Sequence, residues 1–228
     1  MHATMTLALD HLVLAARTLA EGLDWCEATL GLRPEAGGQH LFMGTHNRVF
    51  SIASSRFPRA YLEIIAIDPS VPAPAHARWF DLDDPALQRS LAQGPQLVHW
   101  VARCDNIAAA RSAMLASGID CGVVQNAERA TPRGLLRWQI SLRADGRRPL
   151  AGAAPALIAW GDMHPTDSML ASGVTLDTLC VGGWPDALAA MLPRAIDRDA
   201  ATAAAPLKAL LSGPRGRVTL QSTRLEPQ

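Results

Sequence analysis

Three short, mostly apolar runs recur along the chain with the same order of side chains. Leu9-Asp10-His11-Leu12-Val13, Leu97-Val98-His99-Trp100-Val101 and Leu176-Asp177-Thr178-Leu179-Cys180 match position by position, and runs of this kind read as strands. Each leads into a helical pattern. After the first, Leu19, Leu23, Cys26 and Leu30 stand three or four residues apart, and Gly31 with Pro34 supplies a stop. After the second, "NIAAARSAMLASGI" has Asp105 or Asn106 as its N-cap and closes at Gly118. After the third, "WPDALAAMLPRAI" predicts a helix with Pro185 near its first turn and a break or kink at Pro193.

Strand patterns follow each helix. In the first stretch these are "RVFSIA" and "AYLEIIAI"; in the second, "LLRWQISLRA" and "PALIAWGD", with Asp145-Gly146 as a turn between them. In the third, "APLKALLS" and "GRVTLQS" flank Gly213-Pro214-Arg215-Gly216 and read as a hairpin. This order predicts an α+β chain built from tandem βαβββ modules over residues 1–68 and 96–163, plus a shortened βαββ module over 164–228. The proline-rich "DPSVPAPAHARWFDLDDP" marks 69–95 as a linker, in which "DLDDP" starts a solvated helix and lacks the spacing of a calcium loop.

Composition narrows the function classes. With 228 residues, 49% hydrophobic and 18% charged, the chain can bury a core of its own. Its 21 basic and 21 acidic residues cancel, so no net field draws phosphate backbones or anionic lipid, and a small molecule remains as the expected partner. Cys26, Cys104, Cys121 and Cys180 lie far apart without CxxC spacing, as buried thiols of a reducing compartment do. The start "MHATMTLALD" has no basic segment followed by an apolar one, and no apolar run nears the roughly 18 residues of a membrane span. A cytoplasmic location is the expectation.

The tandem modules, the strand "LDHLVLAA", the run "GGQHLFMGTHNRVFSI", the strand "AYLEIIAIDP" and the late "HPTD" together resemble the glyoxalase-like domain of the vicinal oxygen chelate superfamily. The resemblance covers nearly the whole chain. It implies two modules whose mixed sheets curl around a shared cleft, with helices outside and a divalent metal inside. The superfamily spans lactoylglutathione lyases, extradiol dioxygenases, fosfomycin-modifying enzymes and metal-free bleomycin-binding proteins, so the fold does not select the reaction. Carried onto this chain, the implied metal ligands are His11, Glu63 and His99, with Ala159 where a fourth is expected. Glu63 and His40 are the implied catalytic groups, and His40 with Asn47 the substrate contacts.

The residues point the same way on their own. Side chains alternate along a strand, so His11, Glu63 and His99 each stand on an otherwise apolar face. A lone buried carboxylate is costly unless paired, protonated or metal-bound. One cation would satisfy all three groups, and two histidines with one carboxylate suit zinc, nickel, manganese or iron. A satisfied core histidine is the alternative for each. His46 is expected to face solvent, while "HPTD" reads either as a turn cap or as a place from which His164 or Asp162 reaches back to the site. Of Arg137 and Trp138, one faces the cleft. The expected activity is a metal-assisted lyase, isomerase or dioxygenase reaction on vicinal oxygens. A metal-free small-molecule binding protein is the second reading, and an extradiol dioxygenase using His40 or Tyr61 the third. The sequence leaves a homodimer open.

Overall fold

The computed structural model describes residues 7–131, 133–199 and 206–222. The first repeat forms β1 (Ala8–Ala15), α1 (Leu19–Leu30), β2 (Gly37–His40), β3 (Thr45–Ser51) and β4 (Tyr61–Ile67). A short helix α2 (Pro85–Leu91) lies in the linker. The second repeat forms β5 (Gln96–Arg103), α3 (Ile107–Ala116), β6 (Val123–Thr131), β7 (Gly134–Leu142) and β8 (Ala156–Trp160).

Local chemistry sets the helix ends. Thr18 accepts the Glu21 N–H to cap α1, and Gly31, in the left-handed region at φ 82°, returns its N–H to Glu27. Asp84 caps α2 ahead of Pro85, and Asn106 caps α3.

The two repeats share one eight-stranded mixed sheet in the order β2-β3-β4-β1-β5-β8-β7-β6. At its centre β1 and β5 run antiparallel, with Leu12 opposite Trp100, His11 opposite Val101 and Val13 opposite His99. That register is symmetric about the Leu12–Trp100 pair, so a local two-fold axis relates the repeats. The sheet is curled. A Cβ added to Gly38 in β2, at one end of the strand order, would lie 2.9 Å from Cδ of Arg129 in β6, at the other end.

The two faces of the sheet bury different cores. On the helical side, Leu12, Leu14, Leu62, Ile64 and Trp100 pack with Cys26 and Leu30 of α1 and Met114 of α3. On the concave side, Val13, Ile65, Val101, Ile140 and Ile158 pack with Trp79 and Phe80 from the linker. The linker is therefore part of the wall of the cleft. Asp81 holds it there through the Arg148 guanidinium, Nε–Oδ2 2.5 Å.

The third stretch forms a second sheet from β9 (Thr175–Gly182), β10 (Asp197–Asp199), β11 (Leu207–Gly213) and β12 (Gly216–Gln221), ordered β10-β9-β11-β12. It differs from expectation in two respects. The predicted α-helix is a 3-10 turn over Asp186–Met191, ending at Leu192, which is extended as a residue before proline tends to be. The strand β10 is additional, pairing parallel to β9. Thr178, aligned with His11 and His99, sits opposite Leu210 in this separate sheet. Leu176, Leu179, Val181, Leu207 and Leu211 join the core on the helical side of the large sheet.

Cys26, Cys104 and Cys121 are buried and free, and burial pushes their thiols up to about 12, 11 and 12, so they are unreactive packing groups. No helix among the described residues is long and apolar enough to cross a membrane.

Candidate functional site

The pairing of β1 with β5 skips one residue between Leu9 and His11, so Asp10 is the extra residue of a β-bulge. Consecutive strand residues normally point to opposite faces; the bulge lets Asp10 and His11 meet. Asp10 Oδ1 lies 2.6 Å from His11 Nδ1. Its Oδ2 accepts from Trp160 Nε1 at 2.9 Å and from His164 Nε2 at 2.9 Å. Complete burial would raise the Asp10 carboxyl, but the hydrogen bonds from His11 and His164 outweigh it and hold the group well below the usual carboxylate range. An ionised Asp10 fixes both histidines. His164 Nδ1 accepts the Thr166 N–H at 3.2 Å, so its proton sits on Nε2. His11 turns Nδ1 to Asp10, so in the neutral ring Nε2 is the bare nitrogen, 3.5 Å from Glu63 Oε2.

Glu63 stands on β4 opposite Val13. Its Oε1 accepts from Asn47 Nδ2 at 2.7 Å, while Asn47 Oδ1 accepts the Gly38 N–H at 2.9 Å, which orients the amide. His40 closes the chain: Nε2 lies 3.4 Å from Asn47 Nδ2 and Nδ1 3.2 Å from Thr45 Oγ1. Burial brings the His40 imidazole down to about 4, partly countered by Glu63, so it is neutral at physiological pH. Tyr61 stacks on His11 with ring centroids 4.5 Å apart. Burial and the nearby carboxylates of Asp10 and Glu63 keep its phenol protonated. These groups line a cavity of about 50 Å³ whose other walls are Trp79, Phe80, Leu136, Trp138, Ile140, Ile158 and Trp160, with Arg129 at its edge.

The structure thus brings together His11, Glu63, His40 and Asn47. His99 does not join them. Its Nε2 accepts the Ala156 N–H at 3.0 Å, Phe80 packs over it at 5.1 Å, and its buried Nδ1 has no hydrogen-bond partner among the described residues. Burial, then the charges of Arg148 and His11, hold it well below its ordinary range, so it is a neutral core histidine. The position matching Glu63 also needs correction. Val13 faces Glu63 in β4, and its two-fold mate Val101 faces Ala156 in β8. The match is therefore Ala156, not Ala159. Ala159, on the opposite face by strand alternation, packs against the helical-side core.

Carrying this register through both repeats gives a clear asymmetry. Asp10, His40, Asn47 and Glu63 correspond to Val98, Ala127, Ile140 and Ala156. The first repeat carries the polar machinery and the second an apolar wall. Among the described residues no group of three or more His, Cys, Asp or Glu side chains is placed to hold a metal ion. The residues present do not fit the implied three-ligand ion, since the third donor is engaged with backbone elsewhere.

Other positions fall into place. His46 is half-buried beside Asp68, Nδ1–Oδ2 3.7 Å, rather than facing solvent. Trp138 faces the cavity while Arg137 points out to Glu128. His164 both caps the turn Pro165–Asp167 and reaches Asp10; Asp162 is exposed. Asp10, Trp160 and Arg129 were not among the expected site residues. The repeat itself held a signal for Asp10, since the second repeat has Val98 at its position.

A family model described as a glyoxalase-like domain matches residues 9–196, and the chain belongs to this family of the vicinal oxygen chelate superfamily. No functionally curated protein shows significant sequence similarity to it. Among solved structures, a hypothetical protein from Staphylococcus aureus is 17% identical, with 77% of this chain and 69% of that one covered at a TM-score of 0.51. Methylmalonyl-CoA epimerase from Mycobacterium tuberculosis is 16% identical (74% and 97% covered, TM-score 0.40), and a Streptomyces coelicolor methylmalonyl-CoA epimerase in complex with 2-nitronate-propionyl-CoA is 17% identical (70% and 99%, TM-score 0.43).

Proposed function

We propose that this chain is an enzyme that moves a proton on a small carbon acid, with His11 as the base. The observation that carries this reading is the Asp10–His11 pair, whose free Nε2 faces Glu63 inside a largely apolar cavity. A buried carboxylate that fixes the tautomer and direction of an imidazole is what a general base needs. His11 Nε2 takes a proton from a carbon beside a carbonyl, and the electron pair of the broken C–H bond passes through the C–C bond onto the carbonyl oxygen as an enolate. The same proton, held between His11 and Glu63, returns to the other face of that carbon or to its neighbour. Asn47 keeps the Glu63 carboxyl in reach, and the Trp79, Trp138 and Trp160 rings keep water away.

The test is proton exchange in D2O, followed by NMR, over a panel of 2-oxo acids, 2-hydroxy ketones and thioesters. The wild type is expected to exchange at least one, and His11→Gln to lose about a hundredfold or more in rate. Exchange in His11→Gln at the wild-type rate, or none in the wild type with any compound, sinks the reading. A carboxylate–histidine pair also orients metal-bound imidazoles. Exchange that disappears after dialysis against a chelator and returns with Zn, Ni, Mn or Fe would instead favour an ion held by His11 and Glu63.

A further inference from the structure

Among the described residues Arg129 has no counterion. It makes no hydrogen bond or ion pair with any described residue, and its Nη1 is fully buried. The carboxylates nearby are engaged elsewhere: Glu63 accepts from Asn47, and Glu128, its neighbour in β6, pairs with Arg137 on the outer side. Arg129 is half-buried, and a guanidinium whose Nη1 is cut off from water without a partner suits a ligand that supplies the anion. Its placement is built in. Gly38 leaves free the space into which the guanidinium extends, and any side chain there would collide with it.

Arg129 borders two spaces at once. One is the small cavity with His11 and Glu63. The other is an open groove of about 450 Å³ lined by Leu41, Phe42, Met43, Trp79, Trp138 and Leu142. Leu41 and Phe42 are 69% and 61% exposed, unusual for large apolar side chains beside a polar site.

We propose that Arg129 binds the carboxylate of the substrate, and that the substrate is an organic acid whose apolar or aromatic body lies in the Leu41–Phe42 groove. This rests on the same pocket as the proton-transfer reading and names the substrate class. The guanidinium forms a bidentate pair with the carboxylate and draws the acid's α-carbon toward the cavity.

Calorimetric titration of the full chain with 3-phenylpropanoate, 4-phenylbutanoate and their neutral amides tests it. The wild type should bind at least one acid about tenfold to a hundredfold tighter than its amide. Arg129→Gln should bind acid and amide alike, and Arg129→Lys should keep part of the preference. Gly38→Ala, which displaces the guanidinium without changing the charge, should weaken the acids only. Binding is read without turnover, so this result stands or falls apart from the proton-transfer reading. Equal affinity for acids and amides, no binding of the acids at about 10 mM, or an intact preference in Arg129→Gln would overturn the proposal.

Discussion

Asp10 shows how much one residue decides. Its Oδ2 receives two donors, Trp160 Nε1 and His164 Nε2, and its Oδ1 receives one, His11 Nδ1. In Asp10→Asn the amide oxygen goes where two donors converge, so the NH2 group faces His11. That forces the His11 proton from Nδ1 to Nε2 and removes the free lone pair. Long-range 1H–15N NMR is expected to show the His11 tautomer reversed, and exchange activity to fall about a hundredfold or more. An unchanged tautomer would show that Asp10 does not set it. The sequence made His11 and Glu63 legible because each is a polar group on an apolar strand face, and Asn47 through the run "GGQHLFMGTHN". Asp10 was hidden because a period-two reading puts it on the face opposite His11, and only the bulge brings them together.

At the scale of elements, the central strands could be read and the outer ones could not. β1, β4, β5 and β8 are buried on both faces and show as apolar runs, while β2 and β6 stand at the ends of the sheet with half-exposed, polar sequences such as "VVQNAERAT". Those two strands bring His40 and Arg129 to the cavity, which is why no sequence pattern marks Arg129 and only a motif marks His40. The contact of α1 with the sheet depends on Gly22. A Cβ there would lie 2.5 Å from Ile64 Cγ2 and 3.0 Å from Ala16 Cβ. Alanine improves helix propensity by about 1 kcal/mol, but overpacking costs about 1 to 3 kcal/mol, and a backbone-anchored β-carbon against a β-branched neighbour lies toward the upper end. Gly22→Ala is therefore expected to lower stability by about 2 kcal/mol in urea unfolding. A gain in stability would mean that α1 sits farther from β4 than this packing implies.

At the scale of the molecule, the second sheet and the large sheet share one core. Trp184 packs with Trp100, centroids 6.1 Å apart, and Leu176 N–H bonds the Ile52 carbonyl. Unfolding is expected to be a single transition with coincident fluorescence and circular-dichroism curves. Its midpoint should move with pH. His40 and His99 both have folded-state values below that of an unfolded histidine, about 4 for His40 and well below ordinary for His99. Below an unfolded pKa of about 6.5 the unfolded chain binds protons at these sites that the native chain does not, so stability is present above pH 6.5 and is lost as the pH falls toward 4. For His40 alone the loss amounts to at most about 3 kcal/mol. Asp10, whose folded value is depressed, adds a further loss only below the ordinary carboxyl range near 3.8. The melting temperature should therefore fall between pH 6.5 and 4.5, before the carboxylates titrate, and His40→Gln should flatten that slope. A His40→Gln protein with the wild-type slope would show that His40 takes up its proton in the folded state as readily as in the unfolded one, and the hydrogen-bond chain from Thr45 to Glu63 would then open as the pH falls through about 6.5.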